Sequence, residues 1–230
     1  MKKLLCALAF VLVARPVVAQ LPADLTPFLD TDRGAEVAMA RSAAPAWVSD
    51  SATVLYLTRA GYVKAANGSN GWTCLVVRNF EAGLDDFQPW SLVTLRAPHC
   101  LNAAAVRSIL PEMKERARLV MSGLTAPEVA RRLKAEFRTH RLPQPEPGAM
   151  AFMLSHQQSL STGANPAWKP HVMFFQPASA DSAQFGVGSA TGAPVLSTPR
   201  DPTTGFIVLI PVATWSDGTP YVAPGDAHQH

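Results

Sequence analysis

The sequence predicts an α+β fold: a single, mostly antiparallel sheet with about three to four helices inserted between N-terminal and C-terminal strands. Three observations carry this reading. Strand-like apolar runs cluster between Thr53 and Val77 and return between Met150 and Pro211. Helical periodicity with cap signals fills Asn102 to about His140. Twelve prolines fall after residue 141, where they favour strand and loop over helix.

Residues 20–30 read as an extended arm punctuated by Pro22 and Pro27. Asp30 or Thr31 caps a helix that runs through Ser42, with Val37 and Arg41 one turn apart, and Pro45 stops it. Strands follow at Thr53–Thr58, Tyr62–Ala65 and Trp72–Val77. Asn67-Gly68-Ser69-Asn70-Gly71 reads as a hairpin turn between the last two, because Asn and Gly accept positive φ. Residues 80–99 read as a loop carrying Glu81, Asp85 and Asp86.

In the helical block, Pro111 opens a helix after Leu110, and Gly123 ends it at Ser122. Thr125-Ala126-Pro127-Glu128 is a capping box, and Val129, Leu133 and Phe137 then form a core-facing stripe. Pro143-Gln144-Pro145-Glu146-Pro147 is a stiff spacer. Strands at Met150–Ser155, His171–Phe175 and Phe206–Pro211 lie beyond it. Residues 20–230 are read as one α+β domain, since about 80 residues after the spacer would bury only a thin core.

The first 19 residues read as a secretory signal peptide. Met1-Lys2-Lys3 is a charged start, Leu4–Ala14 is an apolar run of 11 residues, and Val17-Val18-Ala19 precedes a cleavage point between Ala19 and Gln20. A span would need roughly 20 residues, so the expectation is an exported protein, periplasmic or secreted, without a transmembrane segment after cleavage. Cleavage also changes the charge. The full chain carries 20 basic and 17 acidic side chains; losing Lys2, Lys3 and Arg15 leaves 17 of each.

With Cys6 inside the signal segment, Cys74 and Cys100 remain. An oxidising compartment favours one disulfide between them, fastening the strand at Cys74 to the start of the helical region at Cys100. Closing that loop would stabilise the fold by about 3–4 kcal/mol in the chain-entropy model.

Asn70-Gly71-Trp72-Thr73-Cys74 followed by Pro170-His171-Val172-Met173-Phe174-Phe175 resembles a motif pair of small, uncharacterised exported bacterial proteins. The resemblance spans most of the mature chain and implies an exported bacterial globular protein. It implies no activity.

Common catalytic signatures are missing: there is no G-x-S-x-G, S-x-x-K or H-E-x-x-H. Gly186, Gly188 and Gly192 resemble a dinucleotide loop, but Pro194 and Pro199 stand where its helix would be. No cofactor or metal is assigned. Candidate catalytic residues are His171, on one strand face with Met173 and Phe175, and His156, closing the preceding strand, with Asp181 or Asp217 as an orienting carboxylate. That enzyme reading, hydrolytic or metal-assisted, requires the two imidazoles to converge. Candidate binding residues are Trp90, Trp168 and Trp215, whose indoles could stack on sugars or anchor a partner.

Residues 103–141 carry nine basic side chains, Arg131, Arg132 and Arg138 among them, against four acidic ones. They read as a solvated helix surface or an electropositive face for an anionic ligand. Nucleic acid is excluded as a partner by export and by the lack of an interleaved aromatic motif. The preferred reading is a disulfide-bonded envelope protein that binds a small molecule or envelope component. The alternatives are an envelope enzyme using His171 and His156, and a structural envelope component; oligomeric state is left open.

Overall fold

The computed structural model describes residues 24–81, 92–161, 168–187 and 194–223. The stretch read as a signal peptide and its expected cleavage point at Ala19 and Gln20, and also Trp90, Gly188, Gly192, His228 and His230, lie outside the described residues. The described strands are β1 (Thr53–Thr58), β2 (Gly61–Ala66), β3 (Thr73–Val77), β4 (Ala97–Leu101), β5 (Met150–Met153), β6 (His171–Gln176), β7 (Leu196–Ser197) and β8 (Phe206–Pro211). The helices are α1 (Arg33–Arg41), α2 (Ala46–Ser49), α3 (Ala103–Ser108), α4 (Leu110–Met121) and α5 (Ala126–Arg138). One open sheet runs in the order β2-β1-β3-β4-β5-β6-β8-β7. Every neighbouring pair is antiparallel except β1 and β3. The fold is therefore α+β, with a block of three helices between β4 and β5.

The Asn-Gly segment corrects the expected hairpin. The hairpin is made by β1 and β2, whose tight turn pairs Thr58 with Gly61 at φ +94°. Residues 67–71 instead cross the start of β1 and deliver β3 to its other side, parallel to it. Ser69 N–H donates to Ser51 O at 2.8 Å, and a Cβ on Gly68 would stand 2.1 Å from Thr53 N. Glycine is needed there for close backbone approach, not for turn geometry.

The second correction concerns β4, which occupies the end of the segment read as loop. Cys74 and Cys100 face each other across β3 and β4, so the disulfide joins two strands and not a strand to a helical region. Their Cα separation of 4.0 Å marks the narrow, non-hydrogen-bonded kind of antiparallel pair. Val76 and Pro98, two positions along, are then of the same kind, so proline's missing N–H faces away from β3. The β4–β5 pairing is confined to Cys100 and Leu101, so Pro98 deprives no ladder of a donor.

Helices cover both faces. Ala40 of α1, with Ala43, Ala44 and Val48, packs on the face that carries Val54, Cys74, Val76 and Cys100. On the other face Met113, Ala117, Val129, Leu133 and Phe137 close over Leu75, Leu101, Ala151, Met153 and Met173. Helix α1 is capped one residue later than expected, by the Asp32 carboxylate accepting from Gly34 and Ala35 N–H. The Thr125–Glu128 capping box opens α5.

A buried ion network fastens the segment before α1. Arg78 is fully covered and donates to Phe28 O, Asp30 and Glu36, at 2.8, 3.1 and 2.8 Å. Arg96 grips the other side of Asp30 at 2.9 Å. Burial pushes the Glu36 carboxyl upward, and Arg78 opposes the shift.

Candidate functional site

The structure separates the two histidines that the sequence singled out. Along β6, His171, Met173 and Phe175 face α3–α5, as strand alternation requires. His171 is 3% exposed. Its Nδ1–H donates to Lys169 O at 2.7 Å, and the Trp168 ring lies edge-on at 4.6 Å. Burial lowers its pKa, with the Lys169 bond opposing.

A second core histidine shares that face. His99 of β4 is 8% exposed and donates from Nδ1 to Ala97 O at 2.8 Å. Burial brings its pKa down to about 4; the Ala97 bond opposes, and a charge on His171 adds to the lowering. Both imidazoles are neutral at pH 7, and because a carbonyl only accepts, each keeps its lone pair on Nε2. Met153 stands directly opposite His171 across β5 and β6. Gln158, 2% exposed, donates to Trp168 O, and its own Oε1 lacks a hydrogen-bond partner.

His156 lies on the surface in other company. Its Nδ1 is 3.5 Å from Asp217 Oδ2, and both side chains are about half exposed. The Trp215 ring stands perpendicular to His156 at 6.3 Å, and Tyr221 meets Trp215 edge-on at 5.6 Å. A hairpin after β8 builds this group. Trp215 N–H donates to Thr219 O, Tyr221 N–H to Ala213 O, and Gly218 at φ +86° makes the bend. Ser216 N–H donates to Leu154 O at 2.9 Å, pinning the hairpin beside His156. The Thr219 hydroxyl and N–H hold the Asp217 carboxyl below its usual range, burial opposes, and His156 adds to the lowering.

Among the described residues no hydrogen bond, ion pair or ring contact joins His156 to His171. Asp181 is exposed and serves neither; it caps the turn at Ser182–Phe185 through Ala183 N–H at 3.0 Å. Arg131, Arg132 and Arg138 stand in solvent on α5. Much of the basic block is paired: Arg107 with Glu146, Arg116 with Glu112, Arg118 with Glu115, and Arg141 with Glu136. Glu81 also reaches buried Arg116, at 3.5 Å. Burial pushes Glu81 well up, the Glu112 charge adds to this, and Arg116 opposes it.

Sequence reasoning missed His99, Gln158 and Tyr221, and also Trp47, which is 77% exposed on α2. His99 has a signal in retrospect, since Ala97–Leu101 is a short run beside a cysteine, but Pro98 disguised it. Among the described residues no three His, Cys, Asp or Glu side chains converge as a metal site, and no helix is long and apolar enough to cross a membrane. The disulfide and the lack of such a helix are compatible with an exported protein.

The fold and this surface define a disulfide-braced α+β protein with an aromatic and acid–imidazole group at a hairpin. Comparison with protein families, curated proteins and solved structures found no match.

Proposed function

We propose that this is an exported binding protein of the bacterial cell envelope, and that the hairpin surface is its site. The observation that carries the reading is the convergence of Trp215, Tyr221, His156 and Asp217 at the surface, while His171 is sealed in the core. Indole and phenol rings offer apolar area with a polar tip, and the imidazole and carboxylate supply a donor and an acceptor beside them. That combination suits a polyhydroxylated ligand such as an envelope saccharide. The signal-like segment, the disulfide and the resemblance to exported bacterial proteins support the location.

A second reading keeps one observation. The exposed His156–Asp217 pair could act as a general base, which is what remains of the enzyme reading once His171 is withdrawn. Thermal shift against envelope saccharides, with Trp215→Ala beside the native protein, separates the two. Binding stabilises the native protein, and the variant weakens it by about 30-fold, as for a Trp hot spot worth about 2 kcal/mol. Hydrolytic turnover that depends on His156 would favour the enzyme. No binding and no turnover would leave the structural component.

A further inference from the structure

We propose that the cleft between the β1–β2 hairpin and helices α3 and α4 binds a small amphiphile with one negative charge, a medium-chain unbranched carboxylate. The cavity measures about 500 Å³, within the range of small-molecule sites. Ala60 and Tyr62 supply the hairpin wall, and Val106 comes from α3. The remaining wall is α4, from Leu110 to Arg118.

The sequence accounts for this shape. Helix α3 stops at Ser108 and Pro111 helps to restart the chain as α4, so Val106 and Leu110 reach the cavity from two helices that do not continue one another. Leu110, Lys114 and Arg118 recur every four residues and share one face of α4. From 110 to 118 a helix advances about 12 Å, the length of an unbranched chain of about eight carbons. At the Arg118 end the hairpin and helix meet, since a Cβ on Gly61 would stand 3.3 Å from Arg118 N. Tyr62 is 5% exposed, and its hydroxyl donates to Val76 O at 2.9 Å. Its polar tip is thus spent inside the sheet, and its ring is what the cavity meets.

Polarity is divided along the cleft. Val106, Leu110 and Pro111 line the end where α4 begins, and Lys114, Glu115 and Arg118 follow toward its other end. Arg118 grips Glu115 through two hydrogen bonds, at 2.8 and 2.6 Å, so that pair adds no net charge. Lys114 is exposed and has no hydrogen bond or ion pair among the described residues. The lining therefore carries one uncompensated positive charge beside an apolar trough. A monoanionic head answers it, an alcohol leaves it unanswered, and an ammonium is repelled. A dianionic phosphate would be left half-balanced next to Glu115. The cleft shares no residue with the hairpin surface at Trp215 and does not rest on the reading of that surface.

The test is an NMR titration of the purified, isotope-labelled protein with hexanoate, octanoate, octanol and octylamine. Octanoate is expected to bind saturably, with amide shifts concentrated at Tyr62, Val106 and Lys114. Affinity should rise about two- to fourfold for each methylene added from hexanoate to octanoate. An exposed ion pair is worth about three- to fivefold, so octanoate should exceed octanol by that factor, and octylamine should bind more weakly still. Lys114→Gln should abolish the preference for octanoate over octanol. Ala60 is exposed at the turn, so Ala60→Trp fills the cleft without entering the core and is expected to remove binding. Trp215→Ala should leave the octanoate affinity unchanged. No saturable binding, octanol or octylamine equal to octanoate, affinity untouched by Ala60→Trp, a preference that survives Lys114→Gln, or loss of binding in Trp215→Ala would each overturn the proposal.

Discussion

His171 and His156 are 15 residues apart in sequence and sit in opposite surroundings. On the face that carries Met173 and Phe175, His171 lies buried as His99 does, each ring held by the backbone carbonyl two residues before it. At the hairpin, His156 meets Asp217 and Trp215, and Trp215 in turn meets Tyr221, in partial contact with water. The same side chain is thus a neutral element of the core in one place and an accessible group in the other. Desolvation makes the difference, since it disfavours imidazolium by more than one hydrogen bond returns. Polar groups of the interior should therefore govern stability, and those of the hairpin should govern recognition.

The largest effect should come from the interior ion network. Arg78→Ala leaves Glu36 buried without its cation and is expected to cost roughly 3–5 kcal/mol in denaturant unfolding. A cost under 1 kcal/mol would mean that the network contributes little. Replacing both cysteines, Cys74→Ala with Cys100→Ala, opens a loop of 26 residues and should cost about 3–4 kcal/mol. Unfolding that is insensitive to reducing agent would contradict this.

Acid should distinguish the two histidine regions. Burial brings the folded pKa of His99 down to about 4 from 6.5, so below pH 6.5 the unfolded chain takes up a proton that the folded chain refuses. Stability from this group is full above pH 6.5 and is lost toward pH 4, by about 3 kcal/mol. His171 shifts the same way. The raised carboxyls of Glu36 and Glu81 act in the opposite sense, so the measurement is the difference between native protein and His99→Gln over that window. A variant with an unchanged pH slope would show that His99 is not sealed. By contrast His156→Ala should change stability by no more than about 0.5 kcal/mol at any of these pH values.

What the sequence revealed follows the range of the interactions. Strands β1 and β8 were readable because their apolar runs are local, and α4 and α5 because Pro111, Gly123 and the Thr125–Glu128 box are local signals. The Asn67–Gly71 segment was misread because the residues that make a hairpin also suit a loop pressed against Ser51–Thr53. Strand β4 was hidden because Pro98 mimics a loop and all five positions are buried, so no alternation appears. The Arg78–Glu36–Asp30 network joins residues 42 and 48 apart, and no local pattern announces it. The convergence of His156, Trp215 and Tyr221 is likewise long-range, set by one hydrogen bond from Ser216 to Leu154.

The central claim is that the hairpin is where an envelope saccharide would bind and that the sealed His171 takes no part in that binding. Sedimentation of the purified protein with isolated envelope saccharide tests it directly, comparing the native chain, Trp215→Ala and a folded His171→Asn. The account predicts that the native chain and His171→Asn co-sediment, while Trp215→Ala stays in solution. Retention of Trp215→Ala together with release of His171→Asn would contradict it and move the site to the core.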